Sequence, residues 1–401
     1  MSVELPRHAN VLRSRPTFRR FWVARTISHV GDGAAVVALV LFVKGVGGSG
    51  AAVGSLLLAQ SLPHLLAPMA GVIADRVDRR AVMIGCDLAQ SALFLLLALT
   101  TPPLLPTIGL VAVTSSLDTL FGPAGSSAVP ALVSRDQLIE ANAWNATSLN
   151  LQVALGPVLG GVLVAAFGVR WALIANASSF LVSAALLARI PRLAPHRRGE
   201  PTGMLADTIE GVRAAWRYRT VRIVMATLLA GVAFAAMVNV ALVFLVRDEL
   251  GGGAVAFGVA TAAWGVGMVV GSLAIALRAR RLGAVRLLLL AWLLSGLGPL
   301  LTGFAPVLAV AMAGQAVGGL GNGIDLVASS TIVQSEMPDR LLGRIFGLVS
   351  LAAFAGSSAA YLFGGLLLDA SSARITFVVA GLGVLVVWAG ASLAFRRARS
   401  A

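Results

Sequence analysis

Twelve runs of mostly apolar residues follow one another along the chain, at about 21–46, 52–74, 81–101, 106–128, 143–167, 170–188, 222–246, 254–277, 287–304, 306–331, 345–368 and 374–395. Each is close to the roughly 20 residues a helix needs to cross the hydrocarbon of a bilayer. The runs are continuous rather than alternating, which excludes an outer-membrane barrel, and backbone in lipid must bond within its own helix. The pattern predicts an all-α integral membrane protein of twelve transmembrane helices. The longest polar stretch separates six runs from six. The expected organisation is an N-terminal bundle over 1–188, a cytoplasmic linker over 189–221 and a C-terminal bundle over 222–401. Within the linker, Leu205, Ile209, Val212 and Trp216 share one helical face, with Asp207, Glu210, Arg213 and Arg217 elsewhere. That spacing fits either an amphipathic helix on the membrane surface or a solvated connecting helix.

Charge orients the bundle. Of the 31 basic residues, 30 are Arg, and they sit in the gaps between apolar runs. In a twelve-span chain all but Lys44, Arg170, Arg247 and Arg374 fall on the same side as the two termini, so the positive-inside rule predicts an inner-membrane protein with both termini cytoplasmic. The net charge of +14 therefore reflects topology, and nucleic acid is not an expected partner. With 58% hydrophobic and 12% charged residues, the chain lacks the polar surface of a water-soluble fold. The first run, over twenty residues long behind a basic segment, is too long for a signal-peptide core and is expected to remain as the first helix. A single cysteine, Cys86, allows no intrachain disulfide. The sequence has no GxxxxGK, HExxH or CxxC, so an ATP-driven pump or a metalloenzyme lacks material, and no metal or cofactor is expected.

The halves look like repeats. Arg79-Arg80 recurs as Arg280-Arg281, Ser126-Ser127 as Ser329-Ser330, and Gly160-Gly161 as Gly364-Gly365, at nearly constant offset. Duplicated bundles of this kind build secondary transporters, with the substrate site near the midplane between them.

The segment "GVIADRVDRR" between the second and third helices resembles the loop signature of the major facilitator superfamily, at Gly71, Asp75, Arg76, Arg79 and Arg80. Gly71 lets helices approach closely, and Asp75 offers an anion at a helix end, where the start of another helix can donate to it. The resemblance implies that this other helix is the eleventh, in "PDRLLGRIFG" with Arg344, and that the contact latches the cytoplasmic side. "SHVGDG", "FGPAGSSAVPALVSRDQLIEANA" and "IVQSEMPDRLLGRIFG" resemble the drug:proton antiporter branch that includes macrolide and siderophore exporters. "GPVLGG", with Gly156, Pro157, Gly160 and Gly161, resembles the fifth-helix motif of antiporters, although generic close packing explains the same residues. The resemblance implies a monomeric exporter of amphipathic small molecules, moving drug, siderophore or secondary metabolite, driven by the proton gradient. The same fold moving a lysophospholipid, or working in uptake, is the alternative. The chain departs from the branch at Asp118 and Gln90, where Arg is common, and at Ala276, the second-half counterpart of Asp75.

Four acids fall within predicted spans: Asp32, Asp87, Asp118 and Asp325. A charge at the bilayer centre costs roughly 2.5–3.5 kcal/mol on insertion scales, so each is expected to face a cavity, pair with a cation or carry a proton. Asp32 is the first candidate for the proton carrier, because Arg25, His29 and Asp32 lie within roughly a 60° arc of one helix at 100° per residue. The alternative is that Arg25 snorkels to the interface and Asp32 caps a helix irregularity. Asp118 and Asp325, on the fourth and tenth helices, are candidates for the central cavity, and Asp87 is expected to pair with a cytoplasmic Arg. Polar Gln60, His64, Asn150, Gln152, Asn239, Gln315 and Asn322 either line a pathway or bond neighbouring helices.

Overall fold

The computed structural model describes residues 10–67, 69–70, 77–193, 213, 216–278 and 283–399. These form α-helices with no strand among them. We number the helices α1 (Pro16–Gly45), α2 (Gly50–Leu66), α3 (Arg79–Thr100), α4 (Leu104–Leu132), α5 (Arg135–Phe167), α6 (Val169–Leu187), α7 (Arg219–Glu249), α8 (Ala254–Arg278), α9 (Ala284–Gly303), α10 (Leu308–Glu336), α11 (Asp339–Ala370) and α12 (Ala373–Arg399). Eleven are long and apolar enough to cross a membrane, and α2 is a shorter apolar helix. Pro63 cannot donate into the helical ladder, and residues Leu62–Leu66 tighten into a 3₁₀ turn. Of the predicted 52–74 run, 68 and 71–74 lie outside the described residues. Most of the linker, 194–212 with 214 and 215, also lies outside them; Trp216 is exposed.

Several helices run past their apolar stretches. α5 starts at Arg135 rather than 143, because Glu140 is held by the backbone N–H of Val11, 2.9 Å away, and Gln137 by Arg15 at 2.9 Å. The polar first turns of α5 thereby become part of the bundle rather than a loop. The α5–α6 turn is a single residue, Gly168, whose φ of +84° is the left-handed region that glycine enters without strain.

The packing repeats between halves. α1 contacts α5 and α6, as α7 contacts α11 and α12; α3 packs on α4 and α6, as α9 packs on α10 and α12; α2 packs on α4, as α8 packs on α10. The halves meet through the equivalent pairs α2–α11 and α5–α8. The glycine repeat takes part in both. A Cβ at Gly160 would lie 2.5 Å from the Ala34 carbonyl of α1, and one at Gly364 would lie 3.1 Å from Met237 of α7. Gly161 lies against Ala254 and Gly258 of α8, and Gly365 against Gly50 and Ala51 of α2.

The two ends of the bundle differ. At one end lie Lys44, Asp248, Glu249 and Arg374. Lys44 Nζ stands 2.7 Å from Asp248 across the halves, and Arg374 Nε stands 2.7 Å from Glu249. Asp369, on the last turn of α11, accepts from the N–H groups of Gly50 and Ala51 at the start of α2. Beneath this rim a single apolar core joins the halves, with Val40, Val43, Val53 and Leu56 against Val240, Val243, Leu245 and Phe377. At the opposite end, which holds Arg20, Arg80 and Arg189, the cores are separate. Phe18, Phe21 and Met83 belong to the first half, Leu288 and Phe395 to the second, and Val221 and Ile345 to a third cluster, also in the second half. The helices expose Leu105, Phe167, Trp171, Phe304 and Val386, as a lipid-facing surface allows.

Candidate functional site

The first half carries its charges on the inner faces of α1, α2, α3 and α4. Asp32 lies between Gly31 and Gly33. A Cβ on Gly31 would meet the Asn176 and Ser179 side chains of α6 at 2.4 and 2.5 Å, and one on Gly33 would meet the Gln152 carbonyl of α5 at 2.4 Å. The two glycines therefore let α5 and α6 close on α1 beside the carboxylate. Asn176, itself buried, donates to Asp32 Oδ1 at 3.3 Å. His29 Nδ1 lies 3.0 Å from the Ser148 hydroxyl of α5. Arg25 stacks its guanidinium 4.6 Å above the Phe121 ring of α4. The three share one arc of α1 but reach three neighbours: Arg25 turns to α4, His29 to α5 and Asp32 to α6.

Asp118 of α4 pairs with a residue on another helix. His64 Nε2 of α2 stands 3.4 Å from its Oδ2, while Nδ1 of the same ring faces the Gln60 carbonyl at 3.0 Å. Nε2 thus faces a carboxylate, while Nδ1 faces the Gln60 carbonyl and, at 3.4 Å, the Ser115 hydroxyl of α4, so the ring's tautomer sets which contacts are hydrogen bonds. The ring also stacks on Phe354 of α11, centroid to centroid 4.7 Å, across the boundary between the halves. Nearby Ser61 faces Ser358 at 3.3 Å. By sequence His64 is one polar residue among several of a possible pathway; its partner is 54 positions away, and no spacing links them.

Asp87 corrects its expectation. It is fully buried beside the Ser183 hydroxyl of α6, and among the described residues no Arg hydrogen-bonds to it. Arg79 and Arg80 are engaged with backbone instead. Buried Arg79 donates to the Ser127 carbonyl of α4 at 3.3 Å, and Arg80 donates to the carbonyls of Leu187 and Ala188 at the end of α6. Those two members of the loop signature thus bind their own half. Gly71, Asp75 and Arg76 lie outside the described residues, and Arg344 sits half-buried near the start of α11.

In α5 the helix is interrupted at Leu155, and Pro157 starts the next segment. A Cβ on Gly156 would lie 2.7 Å from the Gly33 Cα, and one on Gly161 would lie 2.6 Å from the Ala254 carbonyl. The motif glycines thus bind α5 to α1 on one side and to α8 on the other.

The second half holds a cavity of about 510 Å³ between α7, α8, α9, α10 and α11. Its walls include Trp264, Phe346 and Tyr361 among the aromatics, and Asn239, Gln315 and Asn322 among the amides. Among the described residues Asp325 is the one charged residue on the wall, and it accepts from the Ser329 hydroxyl at 2.9 Å. An apolar cavity with a few convergent polar groups has the form of a small-molecule site.

Comparison with known proteins then decides the family. The pattern that defines the transmembrane secretion effectors matches residues 11–399. The chain belongs to that family, within the major facilitator superfamily. The multidrug efflux pump Tap of Mycobacterium tuberculosis is 29% identical over 384 residues, covering 90% of this chain and 89% of the relative. The enterobactin exporter EntS of Shigella flexneri is 28% identical over 388 residues, covering 94% and 91%. Among solved structures the fold is that of the nucleoside transporter NupG, at TM-score 0.78 and 11% identity over 94% of this chain and 99% of that one. A bacterial homologue of the human lysosomal transporter Spinster also shares it, at 0.76 and 14% over 97% and 98%. This secretion effector is thus a multi-pass membrane transporter of major facilitator fold, and not an enzyme.

Proposed function

We propose that this secretion effector exports amphipathic small molecules across the inner membrane by proton antiport, with the bundles 1–188 and 222–401 rocking about their interface. The Lys44 end is the periplasmic gate, closed here, the Arg80 end faces the cytoplasm with both termini, and the transporter works as a monomer. Substrate is held in the 510 Å³ cavity of the second half, and protons are exchanged in the first half at Asp32 and at the Asp118–His64 pair, with Arg25 and His29 beside them. Exporters among the relatives support the direction. The observation that carries the coupling is the position of His64, bonded to Asp118 of its own half and stacked on Phe354 of the other. The pair thus joins α2 to α4 and, through the His64 ring, touches α11 of the other half, so a change at Asp118 is felt across the boundary.

Uptake of a lipophilic cationic dye into everted vesicles with an imposed pH gradient tests this. Wild-type transport should follow the gradient and vanish when it is dissipated. Asp32→Asn should lower gradient-driven transport by about 100-fold, the scale of a lost proton-transfer group, while dye binding persists. Accumulation with the gradient in the symport direction would sink the export reading. Full coupled activity in Asp32→Asn would remove that residue from the proton path.

A further inference from the structure

The equivalent helix pairs α3–α6 and α9–α12 end differently at the Arg80 end. Between α3 and α6 the chain fills its own junction. Arg80 donates to the last carbonyls of α6, the Leu193 N–H donates to Asp78 at 3.2 Å, and the Arg79 N–H donates to the Leu193 carbonyl at 3.2 Å. Ile190 and Leu193 are buried there as apolar plugs. Between α9 and α12 no such plug lies among the described residues, and a groove of about 230 Å³ opens instead. Arg286 and Arg396 stand on its walls with Leu289, Trp388, Ser392 and Phe395. Both arginines are exposed, and neither helix carries a single acidic residue. Along the same helices Leu290, Leu297, Leu382, Val386 and Leu393 are exposed, so the groove opens on the face that meets lipid.

We propose that this groove binds an anionic phospholipid. The phosphate sits between Arg286 and Arg396, and an acyl chain lies along Leu289, Trp388 and Phe395. Guanidinium groups hold phosphate oxygens through paired N–H donors, and basic pockets between transmembrane helices select anionic headgroups. The apolar wall favours a lipid over a free anion, because inorganic phosphate has nothing to place there. The lipid would take the position that Ile190 and Leu193 occupy in the first half, tying α9 to α12 where no such plug lies among the described residues.

Native mass spectrometry of the purified full-length protein tests this, titrating phosphatidylglycerol, phosphatidylcholine or inorganic phosphate, with thermal unfolding in parallel. Phosphatidylglycerol should bind at least tenfold more tightly than phosphatidylcholine and raise the unfolding temperature. Near the membrane surface each arginine contributes a factor of about five. Arg286→Ala and Arg396→Ala should each weaken phosphatidylglycerol by about that factor, and the double variant by about 30-fold. Arg286→Lys should retain most of the binding and Arg397→Ala all of it. Comparing unfolding temperatures without lipid separates lost binding from lost folding. Equal affinity for the two lipids, an unaltered double variant, or the full stabilisation by inorganic phosphate alone would each overturn the proposal.

Discussion

The two halves share a topology and divide the chemistry. The first half gathers Arg25, His29, Asp32, His64, Asp87 and Asp118 on its inner helices and closes its basic end with its own backbone. The second half places one carboxylate, Asp325, on the wall of a cavity otherwise made of aromatic, amide, hydroxyl and aliphatic groups, and leaves its basic end grooved. Duplication fixes where helices cross, because those contacts rest on small residues at repeated positions such as Gly161 and Gly365. It does not fix what the inward faces carry. Each copy was free to take charge or hydrophobicity once the scaffold stood.

The comparison breaks most visibly if charge in the first half is dispensable. Asp118→Asn should reduce gradient-driven transport by about 100-fold while equilibrium substrate binding changes little; equal losses in both would move the substrate into the first half. Next in size is the boundary between the halves. A Cβ on Gly258 would lie 2.3 Å from the Pro157 carbonyl, so Gly258→Val should cost about 1–3 kcal/mol and lower the unfolding temperature. Gly85→Val, which meets nothing within 4 Å, should leave that temperature unchanged. Asp325→Asn should weaken a cationic substrate about tenfold, the scale of a lost charge-assisted bond, and leave a neutral substrate and its gradient dependence intact. Smallest is Lys44→Ala. Its partner Asp248 is half-exposed, and such pairs contribute about 0.2–1 kcal/mol, so labelling of a cysteine introduced at Ser49 should rise by no more than about fivefold.

Hydropathy carried most of the architecture, because lipid contact requires long apolar runs wherever a helix crosses. It failed at the ends. The start of α5 is polar by composition and helical because Glu140 and Gln137 have partners in the first residues of the chain. The acids within the spans were legible as anomalies for the same reason that makes them costly. Their partners were not. One arc of α1 holds Arg25, His29 and Asp32, yet which neighbour each meets depends on how α4, α5 and α6 surround that arc, and periodicity along one helix contains no such information. Asp87 illustrates the point in reverse. The nearby Arg79 and Arg80 are spent on the carbonyls of Ser127, Leu187 and Ala188, a use that leaves no mark in the sequence.

Asp369 stands on one half and the amides it accepts from belong to the other. When the halves part at that rim, water enters and solvates the carboxylate and the freed amides together. An exchange of protein bonds for water bonds costs only about 0.5–3 kcal/mol. The fastening is therefore directional and reversible at little cost, and resistance to opening resides mainly in the dry layer of Val40, Val243 and Phe377 below it.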